Sequence, residues 1–295
     1  MSITSEIFPA KNGRRDDGVY GAPILSNLEL MMDQSIMPVT TNNLYLDRET
    51  ELTLIQETIL PAGTKQRGLD FFLNLALTGT TALVTYGTAH GYGQVATAAC
   101  CAAAGLACTI YLAKVTPRTA MTEQAIKYGA NVVEISDPDQ SPRNSAQNRS
   151  VKWISNKVLR ELTLKHVRSH PSAYFLELGL DDIGYIGALA AALKVATTNI
   201  RIRPRRLWIA GGSGVLTRAL AQVWPATQFL VVQVGRTLYR DDFPNIDVTI
   251  FIAPGAFPAP TRILPPYISL AHYDAKVWSF VQQYGKDGDF IWNVK

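Results

Sequence analysis

Residues 207–216 read Leu207-Trp208-Ile209-Ala210-Gly211-Gly212-Ser213-Gly214-Val215-Leu216. A short apolar run ends here in a glycine-rich turn, and a helical pattern begins at Val215. This order predicts a strand that turns directly into a helix, as in α/β folds. The backbone N–H groups of such a turn, with a helix N-terminus behind them, suit a phosphate group. An ordinary strand-to-helix turn is the alternative, because the run lacks the end of a Walker A loop and the third glycine of a dinucleotide fingerprint.

The same alternation of strands and helices extends outward through most of the chain. The predicted strands are 81–86, 107–112, 131–135, 206–210 and 228–234. The predicted helices are 69–77, 94–104, 119–128, 151–167, 181–195 and 215–223. We therefore predict an α/β fold in two domains, with mostly parallel sheets flanked by helices.

The domain organisation follows from the breaks in this pattern. Residues 1–50 lack a clear period and are interpreted as an arm over the body, and the polar stretch 138–149 is interpreted as a loop. We predict a large domain formed by 1–78 and 141–295, with a small domain, 79–140, inserted between its two parts.

Lys65 lies in the run Leu60-Pro61-Ala62-Gly63-Thr64-Lys65-Gln66-Arg67-Gly68, directly before an apolar helical pattern. Gly63 and Thr64 allow the backbone to approach a ligand and cap the helix. A lysine at such a helix start is partly desolvated, which lowers its pKa and favours imine chemistry. Together with a distant phosphate cradle at 211–216, this is what a covalently held pyridoxal phosphate requires. A solvated lysine in a first helical turn is the alternative.

Two further segments carry polar groups that suit catalysis. The loop 87–94 has three glycines among its first seven residues and precedes a helix, so it suits a substrate carboxylate. His90 and Tyr92 are its candidate acid/base or ring-stacking groups, or else packed aromatic residues. Asp274 begins a helical stretch near the C-terminus and is either an N-cap or a carboxylate that faces a pyridine nitrogen.

Composition limits the classes of function. The 295 residues are 47% apolar and 18% charged with a net charge of +4, which is ordinary for a globular enzyme. Cys100, Cys101 and Cys108 lie in alanine-rich sequence without metal-ligand spacing, which favours buried free thiols and no metal site. The polar first residues are unlike a signal peptide and no apolar run reaches membrane length, so we expect a cytoplasmic protein without membrane contact. Four arginines crowd into 201–206.

In this order, the motifs resemble those of the fold-type II pyridoxal-phosphate enzymes, the tryptophan synthase β-like superfamily. The resemblance is greatest to the branch of 1-aminocyclopropane-1-carboxylate deaminase and D-cysteine desulfhydrase. The five matching segments are Gly63-Thr64-Lys65-Gln66-Arg67, Thr81 to Gly105, Gly184-Tyr185-Ile186-Gly187, Gly212-Ser213-Gly214 and Tyr273-Asp274-Ala275-Lys276. The resemblance implies that the cofactor lies in a cleft between the domains.

Roles are carried over from this resemblance by position. The implied cofactor-binding residues are Lys65, Gly211, Gly212, Ser213, Gly214, Val215, Leu216, Tyr92 and Asp274. The candidate catalytic residues are Lys65, Tyr273 and His90. Lys65 would form the aldimine, 212–216 would bind the phosphate, and Asp274 would lie at the pyridine nitrogen.

The chain departs from the family pattern in two places. Tyr92 stands at or beside the position of the family's asparagine, and the phosphate cup continues Gly214-Val215-Leu216-Thr217 where the family has Gly-Gly-Thr. A changed substrate loop in a retained cofactor site suggests an unusual substrate.

The leading hypothesis is a pyridoxal-phosphate-dependent lyase or deaminase-like enzyme, a homodimer by family resemblance. It would act through an α-carbanion on an amino acid or an amine-bearing substrate, by deamination, elimination or decarboxylation. One alternative is modification of an aminoacyl-decorated nucleobase or nucleotide in DNA, with the arginines of 201–206 near the phosphate backbone. Alternatives of other classes are a non-catalytic protein that binds pyridoxal phosphate or another phosphate ligand, and an enzyme that binds a dinucleotide.

Overall fold

The computed structural model describes residues 37–57, 60, 62–77, 79–136 and 155–294. These residues form two compact units. The larger unit combines the described residues up to Ala76 with those from Ile183 onward, and the smaller unit runs from Leu77 to Asp182.

Strands and helices alternate along most of the described chain, as the sequence predicts. The strands are β1 (Thr40–Tyr45), β2 (Glu51–Gln56), β3 (Ala82–Gly87), β4 (Ala107–Ala113), β5 (Asn131–Ile135), β6 (Ala173–Leu176), β7 (Arg206–Gly211), β8 (Gln228–Gln233), β9 (Val248–Ile252) and β10 (Phe290–Asn293). The helices are α1 (Gly63–Ala76), α2 (Gly93–Ala103), α3 (Ala120–Lys127), α4 (Asn156–Ser169), α5 (Ile183–Ala196), α6 (Val215–Val223) and α7 (Lys276–Tyr284).

The larger unit is built on a six-stranded sheet in the order β1-β2-β10-β7-β8-β9. All neighbouring strands pair in parallel except the β1–β2 hairpin. The central strand β7 is almost entirely buried, as expected for a parallel strand covered on both faces. The exposed, polar β1 forms one edge of the sheet. This arrangement places the ends of β7 and β8 side by side, and the glycine-rich turn directly follows β7.

The smaller unit contains a four-stranded parallel sheet in the order β5-β4-β3-β6. Its helix α2 is made mostly of small residues, and it buries residues such as Val95, Ala96 and Ala98. Cys100, Cys101 and Cys108 are buried free thiols, which confirms that prediction. Because all four strands are parallel, their carboxyl ends lie at the same edge of the sheet, which is where ligands bind in open parallel sheets.

The structure corrects several predicted boundaries. The predicted return to the large domain at 141 is wrong, because β6 pairs with β3 and the smaller unit continues to Asp182. Part of the predicted arm is also wrong, since Thr40–Tyr45 forms an edge strand of the larger sheet. Residues 1–36, the predicted loop 138–149 and the first residues of the helix predicted at 151–167 lie outside the described residues.

Candidate active site

Lys65 lies in the first turn of α1, which begins at Gly63 with a φ of 61° that favours glycine. The Thr64 hydroxyl accepts a 3.0 Å hydrogen bond from the indole of Trp292, and the Gln66 side chain accepts the N–H of Ala62. These contacts fix the start of the helix. Lys65 itself is partly buried, and burial lowers the pKa of its amine. The negative charge of Asp274 opposes this shift. The structure thus places Lys65 in the desolvated setting that the sequence predicts.

Helix α5 fixes the backbone at Lys65 from the other side. The Tyr185 hydroxyl donates a 3.1 Å hydrogen bond to the carbonyl of Lys65. This contact requires a glycine one helical turn further along, because a Cβ atom at Gly68 would lie 2.8 Å from the Tyr185 hydroxyl. Tyr185 also packs edge-on against Phe72, with ring centroids 6.0 Å apart. Tyr185, which lies in the stretch 184–187, therefore supports the backbone of the lysine segment.

A buried ion pair holds the same helix. The Arg67 guanidinium donates two hydrogen bonds to the Glu57 carboxylate, at 2.9 Å and 2.7 Å, and a third to the carbonyl of Met37 at 2.8 Å. Both side chains are almost fully buried, with 3% and 1% of their surface exposed. A bidentate pair of this kind fixes the distance between the end of β2 and the start of α1.

Tyr273 lies between Lys65 and the glycine-rich turn. The Lys65 Nζ atom lies 5.4 Å from the centroid of the Tyr273 ring. A Cβ atom at Gly212 would lie 2.9 Å from the Tyr273 hydroxyl, so any larger residue at this position would have to displace the Tyr273 side chain. The Gly212 N–H also faces that hydroxyl, and the net effect of burial and the nearby Asp274 charge is to raise the pKa of Tyr273.

Asp274 is a buried carboxylic acid with 2% of its surface exposed. Neither carboxylate oxygen has a hydrogen-bond partner of normal geometry among the described residues. Burial raises the pKa of Asp274 to about 8, although the Lys65 charge and the Val294 amide favour its ionised form. The N-cap alternative is wrong, because Ala275 occupies that position of α7. The Asp274 carboxyl therefore lies near Lys65, and neither of its oxygens makes a hydrogen bond of normal geometry within the described residues.

The glycine-rich turn lies at the carboxyl end of β7 and leads into α6. Gly214 takes the N-cap position with a φ of 80°, where it packs against Phe243. The backbone at Gly235 passes close to the backbone at Gly212, because a Cβ atom added at Gly235 would lie 2.9 Å from the Cα atom of Gly212. The first N–H groups of α6 have no partners within the helix, so the turn offers donors to an anion.

Arg236, which the sequence does not single out, supports this turn. Its guanidinium donates to the Ser213 carbonyl at 3.1 Å and pairs with Asp242 at 3.0 Å. The sequence gives little indication of this role, because Arg236 follows β8 and comes close to the turn after β7 only when these two strands pair in parallel. Its positive charge lies beside the backbone donors of the turn.

The predicted substrate loop belongs to the smaller unit, where it joins β3 to α2. The Gln94 side-chain amide donates to the Ala89 carbonyl at 2.8 Å, and the Thr119 hydroxyl also donates to this carbonyl. The Gln94 Oε1 atom is buried and has no partner among the described residues. His90 and Tyr92 are both half-buried in this loop. The structure thus gives the loop a fixed backbone and one buried acceptor.

The arginines of 201–206 lie away from the glycine-rich turn. Arg201, Arg203 and Arg205 are exposed before β7 begins, and Arg206 pairs with the buried Asp289 at 3.3 Å. Because the glycine-rich turn lies at the other end of β7, a six-residue strand, about 17–20 Å separates them. The arginines therefore do not contact the candidate phosphate site.

Two kinds of feature are absent from the described part of the chain. No cluster of three or more histidine, cysteine, aspartate or glutamate side chains there is arranged to hold a metal ion. Within the same residues, every helix is too short or too polar to span a bilayer.

The fold and the site define an α/β protein whose larger unit contains a desolvated lysine, a buried acid near it and a glycine-rich turn of the phosphate-binding type. No known protein-family model and no curated protein matches the chain. Solved structures match it over most of its length, which identifies the fold.

Three of these structures illustrate the likeness. Serine racemase from Dictyostelium discoideum is 13% identical with a TM-score of 0.64, over 92% of this chain and 96% of that chain. A structure described as an ACC deaminase homologue is 14% identical with a TM-score of 0.67, over 90% and 93%. Diaminopropionate ammonia lyase from Escherichia coli, in complex with an aminoacrylate-PLP azomethine reaction intermediate, is 11% identical with a TM-score of 0.59, over 98% and 92%. The chain therefore has the fold of the fold-type II pyridoxal-phosphate enzymes, as the resemblance predicts.

Proposed function

We propose that this protein is a pyridoxal-phosphate-dependent enzyme of the lyase or deaminase type, acting on an amino acid or an amine-bearing substrate. The observation that carries the proposal is the grouping of Lys65, Tyr273 and Asp274 beside the glycine-rich turn. A buried acid without a partner is costly for stability, so its presence beside a desolvated lysine favours a chemical role over a purely structural one.

The residues present fit the cofactor. The start of α6 offers the backbone donors of 214–216 for a phosphate, while the Gly212 N–H faces Tyr273. Lys65 has the lowered pKa that imine formation requires. The unpartnered Asp274 carboxyl is available to a ring nitrogen. When bound, pyridoxal phosphate supplies an electron sink for the pair released when a bond to the substrate α-carbon breaks.

The chain's own residues then have distinct roles. Lys65 would hold the cofactor and, once displaced by the substrate amine, would accept or return a proton at the α-carbon, because its lowered pKa makes the neutral amine accessible. Asp274 would share a proton with the ring nitrogen. Tyr273 would keep the Lys65 amine over its ring, and the half-buried loop with His90 and Tyr92 would orient the substrate.

Among possible outcomes, we favour reactions that need a strongly stabilised α-carbanion, such as deamination or decarboxylation. The reason is the acidic residue at position 274, since a protonated ring is the stronger electron sink. The DNA alternative has no such support, since the exposed arginines lie at the other end of β7.

The direct test is spectroscopic. Purified protein mixed with pyridoxal phosphate should show the visible absorbance band of a protein-bound imine, and borohydride should abolish it. An enzyme that uses a dinucleotide, or a protein that only binds phosphate, would show no such band.

Replacing Gly212 by aspartate should weaken cofactor retention at least ~10²-fold, or about 2.8 kcal/mol. The added side chain would displace Tyr273, whose hydroxyl would lie only 2.9 Å from a Cβ atom at this position, and its carboxylate would repel the phosphate. Gly212→Ala is the matched control, since it adds the steric effect without the charge and should retain more cofactor. Equilibrium dialysis measures both variants, and undiminished retention in Gly212→Asp would contradict the assignment of the turn.

Asp274→Asn should slow turnover by ~10²-fold, about the effect of losing one preorganised charged group. The cofactor-free protein offers a second measurement. Because burial raises the pKa of Asp274 from 3.8 to about 8, the unfolded chain loses this proton well before the folded protein does. The parent should therefore lose stability relative to Asp274→Asn as the pH rises from 4 to 8, by an amount on the order of 5 kcal/mol.

Urea unfolding at several pH values measures this difference. Lys65 acts in the opposite sense, since its lowered pKa makes stability rise with pH up to 10.5, so the comparison is repeated in a Lys65→Met background. A stability difference that does not change with pH would show that Asp274 titrates normally.

A further inference from the structure

Lys276, the first residue of α7, is a buried cation without a carboxylate partner among the described residues. Only 3% of its surface is exposed. Its Nζ atom donates instead to two backbone carbonyls, those of Ala256 at 3.1 Å and Phe257 at 3.2 Å. Burial lowers the pKa of Lys276. Since a buried charge is costly unless it is well solvated by the protein, this arrangement calls for an explanation beyond helix stability.

The two carbonyls belong to the segment 254–260, which we call the proline loop because Pro254, Pro258 and Pro260 lie in it. It follows β9 at the carboxyl end of the larger sheet, and all of its residues except Phe257 are exposed. Within the loop, the Ala259 N–H donates to the Ala256 carbonyl at 3.0 Å. Lys276 therefore tethers an exposed loop to the helix that follows Asp274.

The side chain of Phe257 connects this loop to the candidate active site. Its ring lies edge-on to the ring of Tyr273, with centroids 6.2 Å apart, and edge-on to His272 at 6.1 Å. Tyr273 in turn carries the Lys65 Nζ atom 5.4 Å from its ring centroid. A continuous line of contacts therefore joins Lys276 to the lysine of the site.

We propose that Lys276 is a positioning residue: it fixes the proline loop so that Phe257 holds the Tyr273 ring beneath Lys65. The catalytic consequence rests on the proposed function, whereas the tether itself does not. An aliphatic residue would fill the same buried space, but it would leave the carbonyls of Ala256 and Phe257 without their shared donor. The ammonium supplies three donors at one point, which suits two adjacent carbonyls.

The tether is tested first in cofactor-free protein, by hydrogen exchange of individual amides. In Lys276→Met, the Ala259 amide should exchange at least ~10-fold faster, because the carbonyl to which it is bonded is no longer held. Lys194→Met is the matched control, since Lys194 is exposed in the last turn of α5. Unchanged exchange at Ala259 in Lys276→Met would overturn the proposal.

The positioning role is tested by a double-mutant cycle on pyridoxal-phosphate affinity. Lys276→Met and Phe257→Ala should each weaken binding by about 10-fold, and the double variant should be no weaker than the weaker single variant. Effects that multiply would overturn the shared route through Phe257, as would unchanged affinity in Phe257→Ala. If Lys276→Met does not fold, Phe257→Ala alone still tests the proposal, because Phe257 is only half-buried and its replacement should not prevent folding.

The two ideas fail in different ways. If reduction with borohydride in the presence of pyridoxal phosphate leaves no pyridoxyl group on Lys65, while the Ala259 amide exchanges faster in Lys276→Met, the proposed function is rejected and the tether stands. If the label forms but exchange at Ala259 is unchanged, the proposed function stands and the role of Lys276 is rejected.

Discussion

Glu57→Gln is expected to lower the free energy of unfolding of the larger unit by about 3–5 kcal/mol, which is typical when a buried ion pair loses one partner. The reason is the burial of Arg67, whose side chain is 3% exposed and whose charge would remain without a counterion. The two hydrogen bonds to Glu57, at 2.9 Å and 2.7 Å, would also be weakened or lost. Urea unfolding of cofactor-free protein measures the change as a shifted midpoint at constant slope.

Two controls separate this effect from a general sensitivity to lost charge. Glu123→Gln removes an exposed carboxylate 3.9 Å from Arg118, and it should change stability by less than about 1 kcal/mol. The double variant Glu57→Leu/Arg67→Met removes both buried charges and should recover much of the loss. A change below about 1 kcal/mol in Glu57→Gln would contradict the role given to this pair.

Lys65→Ala should reduce turnover by at least ~10³-fold, as expected when a residue that bonds covalently to the reacting group is removed. The same variant should show no visible imine band with pyridoxal phosphate. Its fold should persist, because removing a desolvated amine relieves a cost to the folded protein. The exposed Lys194→Ala is the matched control and should keep both turnover and band. Turnover within tenfold of the parent in Lys65→Ala would exclude this lysine from the chemistry.

Sequence patterns were sufficient for the fold class because the parallel strands are continuous apolar runs. The runs that become β3, β4 and β8 are buried on both faces, so their composition indicates their place in the sheet. The glycine-rich turn was equally clear, since a positive φ at Gly214 favours glycine.

The five strands β1, β2, β6, β9 and β10 were not predicted from the sequence, and for three of them the pattern carries no such signal. β6 and β10 have four residues each, too few to show a period, and β1 is exposed and polar. β10 lies between β2 and β7, so its place depends on pairing between distant parts of the chain. The second domain boundary was missed for the same reason, because only the pairing of β6 with β3 assigns residues up to Asp182 to the smaller unit.

The candidate site was predictable where a motif is local and not where contacts are distant. Lys65 is recognisable from its position at a helix start. The sequence around Asp274, in contrast, is the same whether its carboxylate caps the helix or is buried in a site. Only the three-dimensional neighbours show that its oxygens make no hydrogen bond of normal geometry within the described residues. The contacts of Arg236 and Lys276 have no local signature, because each side chain binds a backbone carbonyl about twenty residues away; the motif 273–276 includes Lys276 but does not indicate its partners.

The covalent binding of pyridoxal phosphate by Lys65 can be tested by identifying the residue that carries the cofactor. The protein is incubated with the cofactor, reduced with borohydride and digested, and the labelled peptide is identified by mass spectrometry. We expect a pyridoxyl group on Lys65, in the peptide that contains the start of α1. A label on another lysine, or no label at all, would contradict it.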